Sequence, residues 1–337
     1  MARKKTTTNT LARRFSVHNG KGFSLADCPT RAAEACGLDK KTGKHLLKER
    51  IRYLAQLQAL LYANNTWSVL VVLQALDAGG KDGVIKHVMS GINPQGVSVS
   101  SFKQPGPVEL AHGYLWREHM VAPAAGRIGI FNRSHYEEVL VTRVHPELLE
   151  HECLPLSLRR KPTFWKDRYE DISSFERYMA RQGTIVLKFF LHLSKEEQRL
   201  RFLQRIKHRT KNWKFSPADI HERQYWDDYQ HAYEEAIRHT AHPDAPWFVV
   251  PADQKWFERL VVIEAIIDAL EKLHLKMPAM DPAMEADMEK ARRQLEAEAP
   301  GLRITPFIDA GARAPQKIVI FWKGRTLRWR QCAGSDA

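Results

Sequence analysis

Apolar and polar residues alternate along the chain with two different periods. In residues 40–62, leucine and isoleucine recur at helical spacing with polar residues between them, which predicts an amphipathic helix lying on a core. Residues 67–76 are mostly apolar, a pattern typical of a strand buried on both faces, and the run stops at the glycine-rich stretch of residues 77–83. The sequence therefore predicts a buried strand followed by a glycine loop.

The same alternation of strand-like and helix-like segments continues along the chain. Further strands are predicted at residues 96–102, 127–131, 184–191 and 247–250, with helical stretches between them, and a last helix is predicted at residues 256–273. Strands that alternate with helices form parallel sheets with helices on both faces. We therefore expect an α/β fold with a parallel, doubly wound sheet.

Two helix starts lie close together in the second half of the chain. Ser194 and Glu197 have the spacing of a capping box, and Ser216 precedes a proline that suits the first helical position. We predict a helical hairpin with a basic tip over about residues 194–225. Helical spacing turns about half of its basic residues to solvent, and the others are candidate phosphate ligands. The basic residues are Arg199, Arg201, Arg205, Arg209, Lys211 and Lys214.

The composition changes near residue 276. Residues 280–299 are charged and rich in alanine, and apolar residues at 318–322 and 327–329 flank Lys323, Gly324 and Arg325, which predicts a short helix followed by a basic hairpin. The chain also begins with a basic stretch that we expect to be flexible. The predicted organisation is an N-terminal extension (residues 1–37), an α/β domain (residues 38–275) with the helical hairpin as its lid, and a C-terminal extension (residues 276–337).

Composition narrows the classes of partner. The chain of 337 residues has a formal net charge of +13 and a pI near 9.6, which indicates a polyanion: nucleic acid, an anionic surface or a phosphate-rich substrate. No apolar run approaches the roughly 20 residues of a membrane span, and no secretory signal follows the basic start. The four cysteines form no CxxC pair, so neither a zinc site nor a disulfide framework is expected. We expect a cytoplasmic protein without a membrane partner.

The glycine loop, residues 77–83, has the chemistry of a phosphate site. A glycine-rich turn between a buried strand and a helix exposes successive backbone N–H groups, and Lys81 adds a point charge. The loop departs from the pattern GxxxxGK[ST], because Ala75 replaces the first glycine and Asp82 replaces the hydroxyl residue. The alternative interpretation is a surface turn with a lysine and two solvated acids. The glycines of the loop are Gly79, Gly80 and Gly83.

A carboxylate serves a hard cation as well as a hydroxyl does. Asp77 and Asp82 bracket the loop, so we expect one or both to hold Mg²⁺, or Mn²⁺ in its place. Asn132 and Arg133 follow the strand predicted at residues 127–131, at the edge where doubly wound folds bind ligands. P-loop enzymes carry an acidic metal ligand there, and Asn132 brings no charge, which shifts metal binding towards the glycine loop. His135 is interpreted as a packing residue.

Five segments together resemble the second polyphosphate kinase family in order and spacing: residues 77–83, 87–96, 101–105, 115–117 and 131–137. Later segments at 168–171, 213–216, 226–229 and 245–253 also resemble this family, so the likeness covers about residues 46–273. It implies a three-layer α/β/α P-loop kinase-like fold with a helical lid. The implied activity is Mg²⁺-dependent transfer of phosphoryl groups between inorganic polyphosphate and nucleotides.

The resemblance also implies roles for individual residues. Asp77, Lys81 and Arg133 match the family's catalytic positions, while Asn132 and Glu137 are expected to bind the nucleotide. Residues 132–137 resemble the class III subgroup, which accepts both AMP and ADP. We therefore expect reversible conversion of AMP to ADP and of ADP to ATP, with guanine nucleotides as further candidates and a homo-oligomer, dimer or tetramer, as the assembly. Besides the loop glycines, the expected polyphosphate ligands are Lys103, Arg117, Arg199 and Lys214.

Two other functions remain open from the sequence. An ATP-dependent nucleotide kinase has the same loop, lid and fold, and differs in its phosphate donor. A nucleic-acid-binding protein would explain the net charge of +13, but it leaves the strand, loop and lysine without a role, and no helix-turn-helix or zinc-finger motif is apparent. Specific nucleic-acid binding is therefore not expected.

Overall fold

The chain folds as two units, Met1–Met277 and Pro278–Ala337, and the computed structural model describes residues 11–298, 320–322 and 325–327. A six-stranded sheet forms the centre of the first unit. In chain order its strands are β1 (Ser16–Val17), β2 (Ser68–Gln74), β3 (Val97–Ser101), β4 (Ile128–Asn132), β5 (Thr184–His192) and β6 (Trp247–Pro251). They lie in the order β1-β6-β5-β2-β4-β3, and all neighbours are parallel except β1, which pairs antiparallel with β6.

The centre of the sheet explains the apolar run of the sequence. Every residue of β2 is buried, because the strand lies between β4 and β5 and is covered on both faces. Val69, for example, lies opposite Ile128 on one side and Ile185 on the other. Strands β3 and β4 lie on one side of β2, and strands β5 and β6 lie on the other. In folds with this topology, the crevice at the carboxyl ends of the central strands binds ligands.

Helices cover both faces of this sheet. Helices α1, α2 and α11 pack together on one face, and α5, α7 and α10 form the layer on the other. The predicted three-layer α/β/α fold with a parallel, doubly wound sheet is therefore confirmed. The helices are α1 (Lys40–Asn64), α2 (Lys81–Val88), α3 (Pro107–Leu110), α4 (Trp116–Met120), α5 (Glu137–Val144), α6 (Leu156–Arg159), α7 (Phe164–Arg181), α8 (Lys195–Lys207), α9 (Pro217–Glu222), α10 (Trp226–Thr240) and α11 (Lys255–Glu271).

Capping side chains fix where the helices near the site begin. The Asp39 carboxylate accepts hydrogen bonds from the backbone N–H groups of Lys41 and Thr42, at 2.7 and 3.0 Å, and so starts α1. Ser194 Oγ accepts from the backbone N–H of Glu197 at 3.1 Å and starts α8. After a 3-10 turn at Arg209–Lys214, α9 begins with proline at its first position. The helical hairpin predicted over residues 194–225, the lid, is thus present.

The N-terminal region differs from the prediction. Residues 11–37 belong to the first unit rather than to a flexible extension, since Leu11, Ala12 and Phe15 are buried and β1 extends the sheet beside β6. The Phe15 ring contacts the Phe257 ring edge to face, with centroids 5.9 Å apart. The predicted boundary at residue 38 therefore cuts through a packed region. Residues 1–10 lie outside the described residues.

The second unit contains one helix and one strand pair in its described part. Helix α12 spans Pro282–Glu298, and strands β7 (Ile320–Trp322) and β8 (Arg325–Leu327) pair antiparallel with Ile320 opposite Leu327. The second strand thus starts at Arg325, earlier than the predicted residue 327, while residues 323–324 and 328–329 lie outside the description. Across the described residues of the whole chain, none of the helices has both the length and the apolar character required to span a bilayer.

Candidate active site

The glycine loop connects β2 to α2 through left-handed backbone. Ala78 has a φ of +61° and Gly80 a φ of +112°, a region that L side chains rarely adopt. A Cβ at Gly79 would lie 2.4 Å from the Cβ of Ala75, and one at Gly80 would lie 2.6 Å from Oε1 of Glu258. These two positions therefore need glycine. The loop ends at the first turn of α2, where free backbone N–H groups and the helix dipole favour an anion.

Lys81 lies at the start of α2 and points back over the loop. Its Nζ donates a hydrogen bond to the Ala75 carbonyl at 2.6 Å. Burial lowers the pKa of Lys81, the neighbouring Arg133 lowers it further, and Asp77 acts in the opposite direction. A bound phosphate would supply negative charge at this position, so substrate binding favours the charged lysine.

Arg133 stands at the end of β4, beside the loop. Its φ of +65° turns the chain sharply, and its backbone N–H donates to the Leu73 carbonyl at 3.1 Å, which ties this turn to β2. The guanidinium lies 3.5 Å from Oδ1 of Asp77 and 3.8 Å from Oε2 of Glu137. The charge of Glu137, helped by that of Asp77, raises the pKa of Arg133 above its ordinary value, while burial acts in the opposite direction. The strand turn and two carboxylates thus hold a permanent positive charge beside the loop.

Asp82 connects the glycine loop to the lid. Lys214 Nζ donates to Oδ2 of Asp82 at 2.6 Å, and Asn132 Nδ2 donates to Oδ1 at 3.1 Å. The hydrogen bond from Lys214 is the largest cause of the lowered pKa of Asp82. Residues from the loop, from β4 and from the lid therefore meet at one carboxylate.

The base of the lid is bound to the loop backbone. Arg201 is buried, and its Nη1 donates to the carbonyls of Ala78 and Gly79, each at 3.0 Å, while its Nη2 donates to the Ala252 carbonyl. Gln198 Nε2 donates to the Asp77 carbonyl at 2.9 Å. Because the lid satisfies these carbonyls, the loop conformation depends on helix α8.

These elements enclose a cavity of about 830 Å³, the phosphate cavity. It is where the structure brings together most of the side chains that the sequence predicts. Asn132 lies here, although we predicted it as a nucleotide ligand. The predicted residues that line the cavity are Asp77, Gly79, Gly80, Lys81, Asp82, Gly83, Lys103, Asn132, Arg133 and Lys214.

The structure does not bring Arg117 or Arg199 to the phosphate cavity, which corrects their predicted role as polyphosphate ligands. Arg117 is buried, donates to the Lys103 carbonyl at 2.8 Å, and lies 3.3 Å from Oε1 of Glu118. Its guanidinium therefore supports the segment that carries Lys103. Arg199 lies on the outer side of α8 and donates to both carboxylate oxygens of Glu196, at 2.8 and 2.6 Å.

A second cavity, of about 590 Å³, adjoins the first. Phe102, Lys103 and Arg133 line both cavities. Glu137 lines only the second, so its position suits the predicted contact with a nucleotide. The walls of the second cavity include several apolar or aromatic residues: Pro105, Pro107, Leu110, Tyr114, Val141 and Leu148.

Sequence reasoning missed one wall of the phosphate cavity. Lys255, Glu258 and Arg259, in the first turn of α11, line it, as does Asp219 of the lid. A signal for the first three was present, since they follow the carboxyl end of β6, the edge at which parallel sheets bind ligands. The helical pattern of α11 led us to interpret that segment only as a packing helix.

The sequence model of the family described as polyphosphate kinase 2 matches residues 37–278. The chain belongs to the polyphosphate kinase 2 family. It is 47% identical over 283 residues to an ADP-polyphosphate phosphotransferase of Rhodopseudomonas palustris, an alignment that covers 84% of this chain and 98% of that relative. It is also 47% identical over 234 residues to an AMP/ADP-polyphosphate phosphotransferase of Meiothermus ruber, covering 69% and 83% of the two chains.

A solved polyphosphate kinase 2 structure shares the fold. The protein from Arthrobacter aurescens TC1 superposes with a TM-score of 0.76 at 38% identity, and the match covers 86% of this chain and 97% of that one. Both cavities of the polyphosphate kinase 2 unit lie within the residues that the family model matches. The family match ends at residue 278, where the second unit of the chain starts.

Proposed function

We propose that this chain transfers phosphoryl groups reversibly between inorganic polyphosphate and adenine nucleotides, converting AMP to ADP and ADP to ATP. One observation carries the proposal: Arg133 lines both a basic cavity at the glycine loop and a partly apolar cavity beside it. A donor phosphate in one cavity and an acceptor phosphate in the other would meet at this guanidinium. The activities after which the Rhodopseudomonas and Meiothermus relatives are named support the same reaction.

The two cavities suit different substrates. The phosphate cavity is lined by many more cationic side chains than the second cavity, as a bare polyanion requires. The second cavity has Tyr114, Leu110 and Val141 among its walls, and aromatic and apolar side chains are suitable partners for a base and ribose. We therefore assign polyphosphate to the phosphate cavity and the nucleotide to the second cavity.

The reaction follows from this placement. A terminal phosphate oxygen of the nucleotide attacks the last phosphorus of polyphosphate in line, and the shortened chain leaves with the bridging oxygen. The attacking phosphate is already largely ionised, so positioning and charge neutralisation matter more than a general base. Lys81 and the loop N–H groups hold the donor, Arg133 neutralises charge between the two phosphates, and Asp77 orients Arg133 from 3.5 Å.

The residues present fit a magnesium or manganese ion. Among the described residues, no group of three or more His, Cys, Asp and Glu side chains is arranged as a metal site, so substrate oxygens would supply most ligands, as is usual for Mg²⁺. Asp77 fits best, because its carboxylate lies at the cavity and is 31% exposed. Asp82 would serve only after Lys214 leaves it. When bound, the cation would neutralise charge on the phosphates.

Two further properties belong to this proposal. The exposed apolar row of Leu200, Leu203 and Ile206 on α8 supports a homo-oligomer, dimer or tetramer, which light scattering would measure. Because the nucleotide substrates are those of the cytoplasm, we propose that location for the enzyme. Guanine nucleotides remain candidate substrates, and GDP is included in the assay below.

The test is incubation of the purified protein with Mg²⁺ and long-chain polyphosphate, with AMP, ADP or GDP in separate reactions and no ATP. We expect ADP or ATP to form, and to be absent without polyphosphate or with the Lys81→Ala variant. Transfer from ATP to AMP without use of polyphosphate would replace the proposal with a conventional nucleotide kinase. Binding of nucleic acid that weakens with salt, without any turnover, would favour a nucleic-acid-binding protein.

A further inference from the structure

The Glu258 carboxyl group is buried in the wall of the phosphate cavity, and the mechanism above gives it no role. The residue lies in the first turn of α11 and is 1% exposed. Its Oε1 has no hydrogen-bond partner among the described residues. A buried polar atom without a partner costs free energy, so a carboxyl group kept in this position calls for a ligand that completes it.

The same carboxyl group lies directly against the glycine loop. A Cβ at Gly80 would be 2.6 Å from Oε1 and 3.1 Å from Oε2 of Glu258, so the absence of a side chain at Gly80 makes room for this group. The backbone N–H groups that receive a phosphate belong to the same turn. Glu258 is therefore next to the position of the bound phosphate.

The charged groups around Glu258 come from two elements. Lys255 and Arg259 lie on its own helix, and Arg201 and Glu197 face it from α8. The guanidinium of Arg201 already donates to Glu197 and to the carbonyls of Ala78, Gly79 and Ala252. This buried cation is thus committed to other acceptors.

Burial favours the neutral form of the Glu258 carboxyl group. Burial raises the pKa of Glu258 to about 8, against the opposing charges of Arg201, Arg259 and Lys255. A neutral carboxyl group has one O–H donor, whereas an ionised one only accepts. Phosphate oxygens are acceptors, so a protonated Glu258 complements them and an ionised one repels them.

We propose that Glu258 is a further polyphosphate ligand, whose neutral carboxyl group donates a hydrogen bond to an oxygen of the phosphate held at the glycine loop. The inference rests on the proposed function, because it takes polyphosphate as the occupant of this cavity. It adds a hydrogen-bond donor that is lost as the pH rises, on a wall that otherwise contributes fixed cations.

The test measures binding rather than turnover. Calorimetric titration of long-chain polyphosphate into the full-length protein at pH 7 and pH 9 gives Kd for the wild type, Glu258→Gln and Glu258→Leu. Glutamine keeps a donor and leucine removes it. At pH 7 we expect Kd to rise about tenfold in the leucine variant and to change less than about threefold in the glutamine variant.

The pH series supplies the sharper comparison. One unit above a pKa of about 8, about a tenth of the Glu258 groups remain neutral, so the wild-type Kd should rise by about tenfold more between pH 7 and pH 9 than that of Glu258→Gln. Glu264→Gln is the matched control: it removes another buried acid of α11, one that pairs with Arg50 at 2.7 Å and does not line the cavity. It should keep the wild-type pH dependence.

Two results would overturn the inference. One is a Glu258→Leu protein with the wild-type Kd at pH 7, and the other is a Glu258→Gln protein whose Kd rises as much as that of the wild type between pH 7 and pH 9. If the leucine variant does not fold, as judged by its melting temperature, the glutamine series decides alone. A wild type that binds polyphosphate but transfers no phosphoryl group would contradict the proposed function, while these Kd values would still decide the role of Glu258.

Discussion

Lys188 provides a quantitative test of the packing behind the active site. Its side chain is fully buried, and its Nζ donates to Oε2 of Glu176 at 2.5 Å, to the Thr240 carbonyl at 2.7 Å and to Oη of Tyr136 at 3.1 Å. Oε1 of Glu176 in turn accepts from Tyr136 Oη at 2.8 Å. This network supports the turn that follows Arg133.

The perturbation is Lys188→Met, which keeps the length of the side chain and removes its charge. Glu176 then remains as a buried carboxylate without its cation. Breaking one side of a buried pair destabilises a protein by about 3–5 kcal/mol. In a unit of this size each kcal/mol lowers the melting temperature by about 2–4 °C, so we expect a fall of roughly 6–20 °C.

A matched control tests whether the loss of stability comes from burial of the lysine or only from the short distance of its ion pair. Lys272 pairs with Asp268 at 2.7 Å, but its side chain is 62% exposed. Because the lysine is mostly solvated and Asp268 keeps Arg13 as a second partner at 3.3 Å, Lys272→Met should change the free energy of unfolding by less than about 1 kcal/mol. Urea denaturation of the wild type and both variants, followed by circular dichroism, gives the two differences.

The double variant Lys188→Met with Glu176→Gln completes the test. It removes the stranded charge, so it should recover a substantial part of the lost stability. The reasoning is refuted if Lys188→Met and Lys272→Met cost the same, or if the glutamine substitution adds to the loss. Turnover at 25 °C should persist in Lys188→Met while it remains folded, since Lys188 does not line the phosphate cavity.

Three further predictions concern the site and the buried acids. Asp77→Asn and Lys81→Ala should each abolish polyphosphate-dependent turnover and leave the circular dichroism spectrum unchanged. The first variant loses the carboxylate that orients the Arg133 guanidinium, and the second loses the positive charge that binds phosphate. An active Lys81→Ala enzyme would show that the active site is wrongly assigned. Gly80→Ala should lower kcat at least about tenfold, since its φ is +112° and its Cβ would meet a carboxyl oxygen at 2.6 Å; a kcat within about threefold of the wild type would contradict this. Burial raises the pKa of Glu118 to about 8, whereas the unfolded state releases this proton at the ordinary pKa of 4.5, so this part of the stability falls as the pH rises from about 4.5 and is fully lost once the pH has passed 8. Glu118→Gln should therefore gain stability relative to the wild type between pH 5.5 and 8.5, measured by urea midpoints, and equal slopes in the two proteins would contradict this.

The sequence predicted the strands and helices well because hydrophobic pattern and helix caps depend on residues close together in the chain. The run of residues 67–76 predicted a buried strand because it is short, apolar and followed by glycines, and the observed β2 spans Ser68–Gln74. The serine cap of α8 is a contact across three residues. The pairing of β1 was missed, because a strand of two residues, Ser16–Val17, has no period to recognise.

The errors at the site arise from side-chain direction. Composition indicates that Arg199 and Lys214 both belong to a basic lid, but not that Arg199 meets Glu196 three residues away while Lys214 reaches Asp82 across 132 positions. Arg117 was misassigned for a related reason, since the carbonyl it contacts belongs to Lys103, on the other side of a turn. The contacts of Lys214 and Arg117 depend on tertiary packing, which spacing along one chain does not encode. The pairing of Arg199 with Glu196 is local, and its helical spacing could have been recognised in the sequence.

The base and the tip of the lid are held by interactions of different strength. At the base, the buried Arg201 donates to two loop carbonyls, and hydrogen bonds from a buried guanidinium are strong. At the tip, Lys214 and Asp82 are 36% and 62% exposed, so their ion pair contributes little stability and is readily exchanged for another partner. A polyphosphate oxygen carries the same kind of charge as Asp82 and competes for the same lysine. Binding would therefore move Lys214 from the loop to the substrate, which leaves the Asp82 carboxylate available as a ligand at the moment when phosphate oxygens arrive beside it.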